Sequence, residues 1–377
     1  MVKQIIGGQM ALPSETEIPP VPVPQAKVSD FLDWREHEVP RAATLLGLRR
    51  YWMSTLYPRL AERYAEAAGD PEPRSFEAAR EVIDALPGRD RFLWMDRYIH
   101  LRIWEEVGRM ADERLAERPD LLDEREDDLG SLTVPEGFQA PAYYTGYDFH
   151  RQDGGIWRDD RGALVYALGA RLVHAGRRAP SALHDALTAA IPEDLAPRRV
   201  IDVGCGFGKT TFSLARRYPD AQVSGVDLSL PVLRLGRKMA TEEGLAVDWV
   251  QADAEALPGP EGSADLVVVS MVLHEMPLSS IEGAMREARR VLRPGGVFVA
   301  LETRLIGDPF RDVLGAYHSE ITGEPYINAF RAREFGSFAR AAGFDDVTVR
   351  GFAPPGAPEK VDRHIWSTPW ALLTARK

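Results

Sequence analysis

From Arg198 to Lys377 the chain alternates short β-branched runs with helical stretches, and that alternation leaves few folds open to it. The runs are RRVIDVG, AQVSGVDL, VDWVQAD, ADLVVVSM and GGVFVALET, with helical stretches such as Lys209 to Arg217 and Ser280 to Leu292 between them. Two later runs, DDVTVRGF and WALLTARK, follow the helical stretch AREFGSFARAAGF. Strands alternating with helices call for a parallel sheet covered on both faces, so the pattern predicts an α/β fold with a doubly wound, seven-stranded, mostly parallel sheet.

The preceding half has a different period. At 377 residues and 45% apolar content the chain is long enough for two domains. Residues 12 to 25, LPSETEIPPVPVPQ, carry too much proline for helix or central strand and predict an extended arm over residues 1–27. Apolar residues then recur at helical spacing, as in Phe92, Met95, Ile99, Ile103, Val107 and Met110, which predicts an all-helical domain over 28–135. Trp34, Trp52, Trp94 and Trp104 are read as its core. After the acidic run DEREDD (123–128), the stretch SLTVPEGFQAPAYYTGYDFHRQDGGIW is dense in Gly, Pro and aromatics without a clean period. Residues 136–195 are read as a lid or linker, and 196–377 as the sheet domain with an insertion at about 304–330.

Charge and cysteine usage narrow the function. A net charge of −11 without a Lys/Arg cluster argues against nucleic acid as partner. The single Cys205 excludes an internal disulfide framework and fits a reducing compartment. The N-terminus shows no basic-then-apolar signal pattern, and no stretch of about 20 apolar residues occurs, so a soluble cytoplasmic protein without membrane partner is expected.

The first run of the sheet domain ends in Asp202-Val-Gly204-Cys-Gly206-Phe-Gly208 and passes straight into a helix. Glycines there let the backbone pass close under a ligand of nucleotide type. The dinucleotide fingerprint needs a glycine where Lys209 stands, and the carboxylate of Asp202 suits a ligand with a cationic end better than a pyrophosphate. Asp202 and Asp227 end adjacent strands, where such folds bind ligands; Asp265 begins its strand and is read as structural, and Cys205 as a small packing residue.

These residues resemble the DxGxGxG signature of class I S-adenosylmethionine-dependent methyltransferases, closest in style to the ubiquinone/menaquinone-type small-molecule branch. The resemblance is firm over Arg198 to Thr303. It implies S-adenosylmethionine as cofactor, with Gly204, Gly206 and Gly208 in the turn, and Asp227, 19 residues beyond Gly208, on the ribose hydroxyls with Leu228 beside it. In QADAEALP it implies Asp253 on the adenine amino group and the Ala254 amide facing the ring. DLVVVSMVLHEM is similar to the fourth-strand block and places Ser270 near the methionine end. A base-modifying relative would carry an Asn/Asp-Pro-Pro-aromatic block where this chain reads Ser-Met-Val-Leu-His.

A sulfonium donor needs no metal, and His150, His274 and His318 lack tight ligand spacing, so no metal is expected. An acceptor that loses a proton needs a base, for which His274 is the first candidate, Glu275 an assistant and His150 the reserve. Tyr143, Tyr144, Tyr147 and Gln152 in the glycine-flexed segment, and Tyr317, His318, Glu324 and Tyr326 in the insertion, are the candidate acceptor-side residues. The expected activity is methyl transfer to a small-molecule acceptor, with the helical half shaping the acceptor pocket or a homodimer interface. A protein that binds the cofactor without transferring methyl is the alternative.

Overall fold

Runs of Val, Ile and Leu favour extended backbone and carry apolar side chains on both faces, so they belong inside a sheet covered by helices. The computed structural model describes residues 32–174, 181–353 and 362–377 and has that architecture. The arm expected at 1–27 lies outside the described residues.

The first helices are α1 (Val39–Tyr51), α2 (Tyr57–Ala68), α3 (Phe76–Ala85) and α4 (Arg89–Glu117). Next come β1 (Ser131–Thr133), α5 (Ala142–Thr145), α6 (Asp160–His174) and α7 (Ala182–Ala189). The alternating half runs β2 (Arg199–Val203), α8 (Lys209–Arg217), β3 (Gln222–Asp227), α9 (Leu230–Glu242), β4 (Asp248–Gln251), β5 (Ala264–Ser270), α10 (Leu278–Val291) and β6 (Leu292–Thr303). It ends with α11 (Pro309–Thr322), α12 (Ile327–Arg331), α13 (Phe335–Ala341), β7 (Asp345–Phe352) and β8 (Trp370–Arg376).

The strands form one sheet of eight, ordered β1-β4-β3-β2-β5-β6-β8-β7, in which β8 runs antiparallel to both neighbours. The eighth strand is β1, which pairs in parallel with β4 through Ser131↔Asp248 and Leu132↔Trp249. Three residues with one apolar side chain carry no readable period, which is why the sequence shows seven. This strand falls inside the stretch 28–135 that reads as helical.

The apolar core also crosses that stretch's end. One cluster joins Trp52, Ile103 and Met110 of the N-terminal helices to Leu164 and Leu168 of α6, Phe207 after β2, Val232 and Leu235 of α9, and Phe310, Val313 and Leu314 of α11. Helix α6 is not an open lid: ALVYALGARLV is apolar on most faces and packs against α4 and α9. Trp94 is the exception among the expected core tryptophans, being 60% exposed and stacked on Tyr98. The insertion at 304–330 forms α11 and α12 and carries part of the shared core.

Removing the N-terminal helices would bare the faces of α6 and α11 that pack on α3 and α4, with Leu164, Leu168, Phe310, Val313 and Leu314. At about 1.5–3 kcal/mol for each large side chain, that is on the order of 10 kcal/mol, as much as a domain's whole stability. A fragment beginning at Glu136 is therefore expected to be insoluble or to melt without cooperativity in calorimetry. A soluble fragment with a sharp melting transition would show that the sheet half folds alone.

Candidate active site

The chain leaves β2 through a turn that only glycine fits at two points. Gly204 has φ +65°, and a Cβ there would meet Val272 Cγ2 at 2.4 Å. Gly208 has φ +97°, and a Cβ would lie 2.6 Å from the indole of Trp249. Trp249, fully buried on β4, fills a slot under the turn that Gly236 of α9 also leaves open. The turn is tied to β3 by Asp227, whose Oδ2 accepts from the Gly206 amide and whose Oδ1 accepts from the Ser229 amide, each at 2.9 Å.

Asp202 lies below, fully buried. Its Oδ2 accepts from Thr211 Oγ1 at 2.6 Å, while Oδ1 has no hydrogen-bond partner among the described residues. Burial pushes its carboxyl up to about 7, Asp227 adding to the effect and Thr211 opposing it. A buried carboxylate in that state gains from a cation brought to it. Lys209, at the start of α8, lies over the Phe207 ring at 5.1 Å, and burial lowers its ammonium to about 8.

Loops at the carboxyl ends of β2 to β6 enclose a cavity of about 390 Å³. In the strand order the chain turns one way after β2 and the other after β5, so the cavity opens at the switch point where doubly wound sheets hold ligands. Asp202, Gly204, Gly206, Asp227, Leu228, Ala254 and Ser270 line it. Gly208 does not, since it backs onto Trp249. Nor does Asp253, whose Oδ1 accepts from the Glu255 amide at 2.9 Å and so caps its own turn. Cys205 lines the cavity as a buried thiol, and Asp265 accepts from the Arg198 and Arg199 amides far from it.

The far side of the cavity is built from the helical half and α11. His274, Glu275, His150, Tyr143, Tyr144, His318 and Glu324 all line it. The other acceptor-side candidates do not. Tyr147 is exposed and packs on Phe149; Gln152 is buried and donates to the Gly162 carbonyl at 2.7 Å; Tyr317 turns to Asp84 and Arg80; Tyr326 meets Tyr143 edge-on. Each is spent on holding the wall that the aromatics were expected to form.

His274 is bound through Nδ1 to Glu302 Oε2 at 2.6 Å, and Glu302 also accepts from the Val272 and Leu273 amides at 2.8 and 2.7 Å. Burial lowers the imidazole's proton affinity, but Glu302, with Glu324 and Glu275, outweighs it and raises the group to about 9. His150 bonds Glu275 Oε1 through Nε2 at 3.1 Å and has Glu324 at 3.8 Å from Nδ1. Its backbone is left-handed, φ 55°, as is that of Arg151 at φ 54°. Non-glycine residues hold that conformation only under constraint, here His100 Nε2 on the His150 carbonyl at 2.8 Å and Arg151 on the carbonyls of Ile321 and Glu320. Glu302, Lys209, Arg49, Trp104, Tyr166 and Arg331 also line or shape the site, although none of them is given a role there by the sequence alone. For Glu302 a signal existed, since it is an acid near the carboxyl end of a parallel strand, like Asp202 and Asp227.

A methyltransferase domain family model matches residues 200–296. The ubiquinone/menaquinone biosynthesis C-methyltransferase UbiE of Dinoroseobacter shibae is 32% identical over 191 residues, covering 45% of this chain and 76% of that protein. The chain belongs to the class I S-adenosylmethionine-dependent methyltransferases of the ubiquinone/menaquinone type. The demethylmenaquinone methyltransferase of Thermus thermophilus is 39% identical over 107 residues, 28% of this chain and 48% of that protein. The chain spans about half to two thirds of the length of several such relatives. Among solved structures, phosphoethanolamine N-methyltransferase 2 of Haemonchus contortus in complex with S-adenosyl-L-methionine matches with TM-score 0.45 and 15% identity over 65% of this chain and 61% of that one.

The family's cofactor fits the residues present. Asp202 Oδ1 and Ser270 Oγ, without hydrogen-bond partners among the described residues, and the bare backbone at Gly206 supply an anion, a hydroxyl and close backbone approach in one cavity. Among the described residues no helix is long and apolar enough to cross a membrane.

The His274–Glu302 pair has a pH signature. A histidine raised from 6.5 to about 9 on folding contributes stability that is fully present below pH 6.5 and is lost as pH rises through 9. Glu302→Gln should lower the melting temperature at pH 6 and flatten its fall between pH 6.5 and 9. An imidazole NMR titration of His274 with its midpoint near 6.5 in the unmutated protein would show that Glu302 does not hold it charged.

Proposed function

We propose that this chain transfers the methyl group of S-adenosylmethionine to a small-molecule acceptor bound in the same cavity. The observation that carries the reading is the buried, half-partnered carboxylate of Asp202 beside Asp227 at the switch point of the sheet. Asp202 Oδ1 is assigned to the cofactor's ammonium, Asp227 to the ribose hydroxyls, and Lys209 to the methionine carboxylate. The Ala254 backbone and Leu228 flank the adenine, with Asp253 stiffening that turn rather than reaching the ring. Ser270 lies toward the sulfur. Bound there, the cofactor supplies an electrophilic methyl group, and the protein's task is to hold the acceptor in line and remove water.

Among the histidines, the base assignment moves. His274 stays protonated up to about pH 9, so at neutrality it donates rather than accepts, and it serves to orient the acceptor. His150 is raised too, burial being outweighed by Glu275 and Glu324, but it is better placed to exchange a proton, being partly exposed and held over the cavity by its strained backbone. Tyr143 and Tyr144 close the wall beside it, and His318, braced by Asp96 at 2.8 Å, faces it. The net charge of −11 and the lone buried cysteine support a metabolite acceptor and a cytoplasmic setting.

Calorimetry with S-adenosylhomocysteine tests the cofactor half. Asp227→Ala should weaken binding at least tenfold, about 1.4 kcal/mol, by removing the ribose acceptor and loosening the turn; equal affinity in the variant would remove Asp227 from the site. Turnover tests the other half. His150→Ala should keep S-adenosylhomocysteine affinity and lose about 10²-fold in kcat with an acceptor that is deprotonated in the reaction. If His274→Ala shows that loss and His150→Ala does not, His274 is the base after all.

A further inference from the structure

The acceptor side of the cavity holds more cations than it pairs. Each of its carboxylates has a histidine: Glu302 with His274 at 2.6 Å, Glu275 with His150 at 3.1 Å, Asp96 with His318 at 2.8 Å, and Glu324 between His150 and His274 at 3.8 and 3.9 Å. Two guanidiniums remain. Arg331 spends its donors on the hydroxyls of Thr303 and Ser319 and has no carboxylate within ion-pair distance among the described residues. Arg49, from the last turn of α1, lines the cavity, and its guanidinium makes neither a hydrogen bond nor an ion pair among the described residues. Burial lowers the proton affinity of both, Asp96 partly offsetting this at Arg49. A desolvated guanidinium without an anion is costly, and the charge is kept where a ligand completes the pair.

We propose that the acceptor is a small carboxylic acid whose carboxylate is anchored by Arg49. The proposal rests on the methyl-transfer reading and deepens it by naming the acceptor's class. The planar fork of a free guanidinium matches a carboxylate through two parallel N–H···O bonds, and Arg331, pinned in the wall, adds positive potential without competing for the ligand. A phosphate dianion fits less well, because Glu275 and Glu324 face the same space and would repel a second negative charge. The cofactor's own carboxylate has Lys209 at the glycine turn. Arg49 lies outside residues 200–296, so the anchor belongs to the helical half that this chain adds to the family domain.

Acetate is the probe, because it fits a carboxylate site whatever the rest of the acceptor looks like. With the full chain and ionic strength held by chloride, acetate should give a saturable change in the fluorescence of the cavity-lining tryptophans Trp104 and Trp370. Its dissociation constant should be in the millimolar range, as about four heavy atoms allow, and acetamide should give none. Arg49→Gln should weaken acetate at least tenfold and Arg49→Lys less, while both keep the parent's affinity for S-adenosylhomocysteine by calorimetry, which also shows that they fold. Equal responses to acetate and acetamide, no saturable response to acetate, or unchanged acetate affinity in Arg49→Gln would overturn the proposal. So would tighter binding of inorganic phosphate than acetate, or loss of S-adenosylhomocysteine affinity in both Arg49 variants, which would place Arg49 at the cofactor. Failure of the unmutated chain to bind S-adenosylhomocysteine would instead strike the methyl-transfer reading, since the acetate measurement is made without it.

Discussion

One buried carboxylate, Glu302, holds the two halves of the cavity in register. It stands near the end of β6, fully buried, and three donors meet it: the amides of Val272 and Leu273 and the ring of His274. A carboxyl group so placed is tolerated when donors meet both of its oxygens, and these bonds fix the path of the chain after β5. That path sets Val272 against the bare face of Gly204, so the acceptor loop and the cofactor turn touch through one side chain and one missing Cβ. The same bond keeps His274 charged. Position and charge at the site thus come from one residue.

Around this centre the cavity divides by its charge partners. At the glycine turn the acids are either satisfied by backbone amides, as Asp227 is, or left with a free oxygen, as Asp202 is, which makes that end receptive to the cationic groups of the cofactor. On the far side the acids are matched to histidines and the arginines are left over. The roof over both is not a loop hung from the sheet domain. It is anchored by His100, Trp104, α6 and α11, through the core they share with the N-terminal helices. A rigid roof suits a transfer whose rate depends on alignment more than on proton chemistry.

What could be read from the sequence alone was whatever depends on local order. The strands β2 to β6, the helices α8 and α10, the glycine turn and the acids Asp202 and Asp227 all lie where the periodicity and strand-end chemistry put them, because period, β-branching and glycine φ act over a few residues. What only the tertiary structure decided lies between segments distant in the chain. Strand β1 has no period and exists because β4 offers it an edge; α6 reads as a linker and is a core helix; Trp94 reads as core and faces solvent. The protonation of His274 depends on Glu302, 28 residues on, and the availability of Arg49 on the fact that Asp96 is already engaged by His318. Charge compensation is a property of distances through space, and those are set only once the helices have packed onto the sheet.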